Sequence, residues 1–197
     1  MTEKRSATVA RKTKETDISL ELTLDGSGRA DIHTGIGFFD HTLILLTRHG
    51  LFDLTLRCEG DLTVDAHHTV EDVGICLGKA FADALGDKTG IARYGVGYVP
   101  MDETLVRAVV DLSGRAYTVC ILNIREERIG DFPTSLCAEF FRAFADNGRM
   151  NLQIDQIRGE NGHHIIEATF KAVALSLREA VKRDERVVGV PSTKGML

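Results

Sequence analysis

His67-His68-Thr69-Val70-Glu71 and His163-His164-Ile165-Ile166-Glu167 carry one HHxxE pattern twice, 96 positions apart. Each copy opens a stretch with apolar residues at intervals of three and four. The first runs through Val70, Val73, Leu77, Phe81, Ala84 and Leu85, the second through Phe170, Val173, Leu177 and Val181. That spacing lines one face of a helix, and the first helix is predicted to end near Gly86. Further matches occur in the same order around the two copies. Glu15-Thr16 returns as Glu103-Thr104, Ser27-Gly28-Arg29-Ala30 as Ser113-Gly114-Arg115-Ala116, and Phe38-Phe39 as Phe140-Phe141. The series predicts a tandem duplication of a strand-strand-helix-strand-strand-helix unit, with half-repeats 1–90 and 91–197 and a seam near 88–95. Each half is too small to bury its helices alone. The expected fold class is therefore α+β, two sheets packing against helices in one globular body.

The strands follow from alternation. Ile18, Leu20, Leu22 and Leu24 repeat with period two up to Asp25-Gly26-Ser27-Gly28, which predicts a half-buried strand entering a hairpin. Phe52, Leu54, Leu56 and Cys58 alternate too, break at Glu59-Gly60 and resume with Leu62 and Val64, which predicts a second hairpin.

Composition narrows the function. With 24 basic against 29 acidic side chains the chain carries a net charge of -5. That argues against a broad nucleic-acid surface. No run approaches the roughly 20 apolar residues needed to span a bilayer. The charged stretch 1–17 has no apolar core after it and does not read as a secretory signal. Cys58, Cys76, Cys120 and Cys137 form no CxxC pair, and three of them lie in apolar or alternating stretches. Buried reduced thiols and a reducing, cytoplasmic setting are expected.

Seven histidines stand at 33, 41, 49, 67, 68, 163 and 164, so four sit in the two adjacent pairs. On a helix, His67 and Glu71 share a face, and an imidazole nitrogen and a carboxylate oxygen four residues apart form a chelating pair for a divalent cation. His68 points about 100° away. The second histidine of each pair is therefore expected to serve a different metal, or one shared with another chain. Mixed nitrogen and oxygen ligation suits Mn, Fe or Zn, with a six-coordinate ion such as Mn favoured. One HHxxE alone would equally be an exposed helix start with a glutamate balancing the helix dipole; two copies at matched positions favour metal. His41 opens an apolar helix-like run closed by Arg48-His49-Gly50 and reads as a further ligand beside that constellation. Asp102 and Glu103 lead into an apolar strand as a charged edge or a functional pair. Val190-Pro191-Ser192-Thr193-Lys194-Gly195 offers hydroxyls, backbone N–H groups and one ammonium to a phosphate.

At these residues the sequence resembles the imidazoleglycerol-phosphate dehydratase family of histidine biosynthesis. The resemblance is carried by Arg11-x-Thr13-x-Glu15-Thr16, Leu24-Asp25-Gly26-x-Gly28, Thr34-Gly-Ile-Gly-Phe-Phe-Asp-His41 and Arg48-His49-Gly50. It continues through His67-His-Thr-Val-Glu-Asp72, Arg93-Tyr-Gly95, Pro100-Met-Asp-Glu103 and Asp111-Leu-Ser-Gly-Arg115. It ends with His163-His-x-x-Glu167, Phe170-Lys171-Ala172 and Val190-Pro-Ser-Thr-Lys-Gly195, and so covers essentially the whole chain.

The resemblance implies a duplicated α+β fold and a manganese-dependent hydro-lyase. It would dehydrate D-erythro-imidazole glycerol phosphate to imidazole acetol phosphate by way of a metal-bound imidazolate, with two Mn2+ per active site. It also implies homo-oligomers, trimers assembled into a larger shell with the sites between chains. Carried over position by position, His41, His67, His68, Glu71, His163, His164 and Glu167 would ligate manganese. Arg93, Arg115, Lys171, Ser192 and Lys194 would hold the substrate, mainly its phosphate. Glu15 and His49 would lie at the substrate, with Glu15, or Glu71 or Glu167 during ligand exchange, as the general base. Glu139 stands where many members have the counterpart of His41, and a carboxylate there can still ligate manganese. Gln153 stands where many members have a histidine, and His33 receives no role. Two other readings of the residues remain: a metal-dependent hydrolase on the same scaffold, and a non-catalytic shell protein whose histidine pairs lock subunits together.

Overall fold

A computed structural model describes residues 4–197; the first three residues of the charged N-terminal stretch lie outside the described part. The chain orders as β1 (Ser6–Lys12), β2 (Thr16–Thr23), β3 (Ala30–His33), α1 (Gly37–Gly50), β4 (Asp53–Gly60) and α2 (His67–Leu85). It continues with β5 (Tyr94–Met101), β6 (Thr104–Asp111), β7 (Tyr117–Ile121), β8 (Arg128–Ile129), β9 (Phe132–Pro133), α3 (Leu136–Gly148), β10 (Asn151–Arg158) and α4 (Gly162–Ala180). Two four-stranded sheets result, ordered β1-β2-β4-β3 and β5-β6-β10-β7. In both, the first three strands are antiparallel and the last strand is parallel to its neighbour. No helix among the described residues is long and apolar enough to cross a membrane.

Two strand expectations give way. The alternation at Ile18–Leu24 is a strand with one buried face. Its hairpin partner, however, is β1, reached backward through the turn at Thr13–Thr16, where the Thr16 N–H bonds Thr13 Oγ1 at 3.0 Å. The Asp25–Gly28 turn leads instead to β3, which runs parallel to β4 across the α1 crossover. Leu62 and Val64 form a turn after β4 rather than a second hairpin strand. The repeating unit is thus three strands, a helix, a strand and a helix. The turn match is structural: Gly28 and Gly114 both take positive φ, +87° and +76°, which glycine adopts without a Cβ penalty.

The phenylalanine match is not structural. α1 and α3 each end on a left-handed residue, Leu51 (φ 56°) and Arg149 (φ 51°), 98 positions apart. Phe38 and Phe140 are 102 apart and fall at different turns of their helices. The helix alignment does pair His41 with Glu139. Between the two Ser-Gly-Arg-Ala turns and these helices the second half carries 12 more residues (98 against 86), and the short β8–β9 hairpin lies in that added length.

The helices pack across the halves. α1 lies on α4 and α2 lies on α3, while α2 covers β1 and β2 and α4 covers β5 and β6. Close approach is set by small residues. A Cβ on Gly97 would meet the Ala172 carbonyl oxygen at 2.1 Å, and one on Gly95 would meet that of Ser176 at 1.8 Å. On α2, Gly74 and Gly78 leave room for the backbone carbonyls of Phe140 and Phe144 on α3. A chain of fully buried rings joins the layers: Phe39 meets Phe140 edge-on at 5.4 Å, and Phe140 stacks on Phe170 at 5.3 Å. Truncating one such ring to alanine costs about 3–5 kcal/mol. Cys58, Cys76 and Cys137 are buried thiols and Cys120 is half-buried; none of the four is in a disulfide.

Candidate active site

α4 is capped at its start by Asn161, whose side-chain oxygen accepts the backbone N–H groups of His163 (3.0 Å) and His164 (3.3 Å). This fixes the first turn of the helix and aims His163 along it toward Glu167. α1, lying on α4, adds His41. His41 Nε2 is 2.7 Å and His163 Nε2 is 2.9 Å from Glu167 Oε1, while Lys171 Nζ donates to Glu167 Oε2 at 2.7 Å. Each of the three residues His41, His163 and Glu167 offers one donor atom, and these atoms all lie within 4.8 Å of one another. The Glu167 side chain is only 9% exposed. Burial works to raise its pKa, but Lys171, His41 and His163 together outweigh it and hold the carboxyl at about 2. His49, two turns further along α1, is half-buried; burial and then the nearby Lys171 ammonium push its pKa down.

The first HHxxE is arranged differently. Asp65 accepts the His67 backbone N–H at 2.7 Å, and His67 Nε2 stands 3.7 Å from Glu71 Oε2. Glu139 of α3, the counterpart of His41, is held by Arg142 instead. Arg142 donates to Glu139 Oε2 from Nε at 3.0 Å and from Nη2 at 2.6 Å, and Nη2 also reaches Glu71 Oε1 at 3.2 Å.

The second histidine of each pair turns away from its neighbour, with ring planes 89° apart in one pair and 90° in the other. His68 Nδ1 meets Asp61 Oδ2 at 3.0 Å, and its Nε2 is 3.7 Å from Glu15. His164 Nδ1 meets Glu103 Oε2 at 2.8 Å, and its Nε2 is 3.7 Å from Asp102. Hydrogen bonding to Asp61 and to Glu103 raises the pKa of His68 and of His164. Glu103 is held well below the usual carboxylate range by the Asn161 N–H, then by His164 and the Glu160 N–H. Glu15 and Glu103 occupy equivalent turns, so the dipeptide match at 15 and 103 marks the neighbours of the outer histidines. Asp61 and Arg142 were not singled out from the sequence. Arg142 follows Glu139 by three on one helix face, a spacing that carries the signal; Asp61 is a loop aspartate without one.

Most of the residues expected to hold phosphate come together elsewhere. Arg93, Tyr94, Arg115, Ser192 and Lys194 line one cavity of about 600 Å³. Arg93 binds Asp111 through Nε at 2.7 Å and donates from Nη1 to the Pro191 carbonyl at 2.8 Å, which ties the C-terminal loop to the start of β5. Lys171, grouped with these residues in the sequence, stands instead beside Glu167. Gln153 bonds Asn151 within β10, and His33 lies 3.4 Å from Asp31 on β3.

A family model described as imidazoleglycerol-phosphate dehydratase matches residues 34–177. The chain belongs to the imidazoleglycerol-phosphate dehydratase family. As a member of that family it is an enzyme, a hydro-lyase. The imidazoleglycerol-phosphate dehydratase of Thermoanaerobacter pseudethanolicus is 58% identical over 193 residues, covering 98% of this chain and 100% of the relative. That of Cereibacter sphaeroides is 59% identical over 194 residues with the same coverage. Among solved structures, the imidazoleglycerol-phosphate dehydratase of Staphylococcus aureus superposes with a TM-score of 0.83 at 39% identity, over 91% of this chain and 99% of that one. The Pyrococcus furiosus structure, a complex with (S)-C348, also gives 0.83, at 38% identity over 96% and 100%.

Proposed function

We propose that this enzyme uses manganese to convert D-erythro-imidazole glycerol phosphate to imidazole acetol phosphate, in the cytoplasm, in the service of histidine biosynthesis. The observation that carries the metal reading is the convergence of His41, His163 and Glu167. Two imidazole nitrogens and one carboxylate oxygen are a donor set that fits a six-coordinate divalent ion such as Mn2+. His67, Glu71 and Glu139 offer the related set, and His68 and His164 turn away from these clusters toward Asp61 and Glu103, still partly open to donors of another chain.

A divalent cation held by these residues would supply positive charge beside the substrate's imidazole and so favour loss of the ring N–H proton. The remaining work falls to the chain. The substrate gives up one hydrogen from carbon and one hydroxyl as water, leaving an enol that tautomerises to the ketone. Glu15, exposed beside His68, is placed to take and return a proton. His49, kept largely neutral by burial and by Lys171, can relay one at the other cluster. Arg93, Arg115, Ser192 and Lys194 clamp the phosphate, Arg93 acting also through its hold on Pro191.

Partner chains enter through distance. The phosphate cavity lies at the start of β5 and the His163 cluster beside its far end, where Lys171 of that cluster reaches Met101, seven residues on, a strand length of about 23 Å. A three-carbon chain between imidazole and phosphate is too short to bridge that span. One copy's cavity therefore works with another copy's histidines, which supports sites shared between chains, within the trimers and larger shell that we propose. Tyr94, Val96 and Tyr98 on β5, with Tyr117 and Ile121 on β7, expose an apolar sheet face suited to such a contact.

The test is an activity assay on chelator-stripped protein. Turnover is expected to vanish and to return with manganese, and Lys194→Ala should raise KM at least about tenfold with a smaller change in kcat. Full-rate turnover without metal overturns the reading, and an unchanged KM in Lys194→Ala favours the hydrolase alternative.

A further inference from the structure

The two clusters occupy equivalent places in the repeat, yet the helix beside each one brings different chemistry. Position 44 on α1 is isoleucine; its counterpart 98 positions later on α3 is Arg142. Arg142 reaches the carboxylates of both Glu71 and Glu139, with Asp146 a further 3.9 Å contact, so a guanidinium sits between the two oxygen donors of the His67 cluster. Lys171 at the His163 cluster differs in kind. It holds a single carboxylate, and by the oxygen turned away from the histidines, leaving Oε1 to His41 and His163. Accordingly, among the described residues three donors converge within 4.8 Å at His41, His163 and Glu167, and not at His67, Glu71 and Glu139.

We propose that Arg142 is a resident counter-cation of the His67–Glu71–Glu139 cluster, which takes up a divalent ion only when the guanidinium swings out. The inference rests on the metal reading above and deepens it. Manganese loads in two unequal steps, the His41–His163–Glu167 cluster first and the Arg142-held cluster second. The swing is open to Arg142, whose side chain is 50% exposed on α3 and anchored by ion pairs alone. With the guanidinium gone, Glu71 and Glu139 face each other with no cation between them, and a divalent ion relieves that repulsion.

The experiment is a calorimetric titration of metal-free full chain with manganese chloride, with free ion counted by paramagnetic resonance. The wild type is expected to take two ions per chain, one tightly and one more weakly. Arg142→Met, which keeps the apolar stem, should tighten the weaker step about tenfold and leave the tight one unchanged, with Arg142→Lys in between. Thermal melting by circular dichroism confirms that the variants fold. A weaker step that stays within twofold of wild type in Arg142→Met overturns the role of Arg142, as do two equal steps in the wild type. Failure of every variant to bind manganese overturns the metal reading itself, and this inference with it.

Discussion

His163 and His67 begin identical five-residue patterns, but each helix is seated on its strand by different means. β5 presents Gly95 and Gly97 to α4, so the helix backbone settles almost directly on the strand. β1 presents Ala7 and Val9 at the same register positions, and α2 stands off on side chains. Further along the same strands, Arg11 pairs with buried Asp72 in the first half, where the second has Val99 and Ala168. Similar helices are therefore held by steric intimacy in one half and by a partly buried ion pair in the other. The clusters above them differ in step: convergent donors on the close-packed side, an arginine-bridged pair of carboxylates on the other. Identical His-Glu spacing on a helix does not by itself make identical sites; the neighbouring element decides what the carboxylate is already holding.

The contrast is open to attack. Gly97→Val copies the first half's residue into the second and drives a side chain into the Ala172 carbonyl. It should cost about 3 kcal/mol or more, seen as a melting temperature lowered by many degrees or as loss of soluble protein. A melt near that of wild type would mean that the glycine seam does not seat α4. Arg11→Val alone leaves buried Asp72 without its cation, with only the Thr16 hydroxyl still donating to it, and should cost about 2 kcal/mol in urea denaturation. Adding Asp72→Ala, which reproduces the Val99/Ala168 arrangement, should recover most of that loss; a double variant as weak as the single would show that the two halves are not exchangeable here.

Acid gives the smallest signal. Glu167 is held at about 2 against an ordinary glutamate near 4.3, because Lys171 and the two histidines outweigh the effect of burial. A depressed folded value adds stability that is complete above the unfolded value and is lost as pH falls through the folded one. Between about pH 4 and 2 the metal-free wild type should lose stability more steeply than Glu167→Gln. Superimposable acid limbs would refute that assignment.

Much of this was legible. Period-three-and-four apolar spacing located α2 and α4, and the paired HHxxE motifs located both clusters, because a helix fixes which residues share a face. Ser192 and Lys194 of the C-terminal loop line one cavity with Arg93 and Arg115, a grouping that the family resemblance implied and that the loop's own residues did not specify. The hairpins after Leu24 and after Gly60 were misplaced because a turn sequence says that the chain bends, not which strand it bends toward; β3 finds β4 only across α1. The Phe-Phe match misled because an apolar dipeptide carries no helical phase. Arg142 carries no signal for its second partner, because Glu71 lies 71 positions away and no local spacing links the two.

The crossing of α1 onto α4 also has a consequence for how the chain comes into being. His41 leaves the ribosome more than a hundred residues ahead of His163 and Glu167, and α1 has no helix to lie on until α4 is made. The early sheet must wait with its crossover helix uncovered, so the nascent first half is the stage at which sticky apolar surface is most exposed. A histidine-carboxylate cluster closes only once α4 has been made.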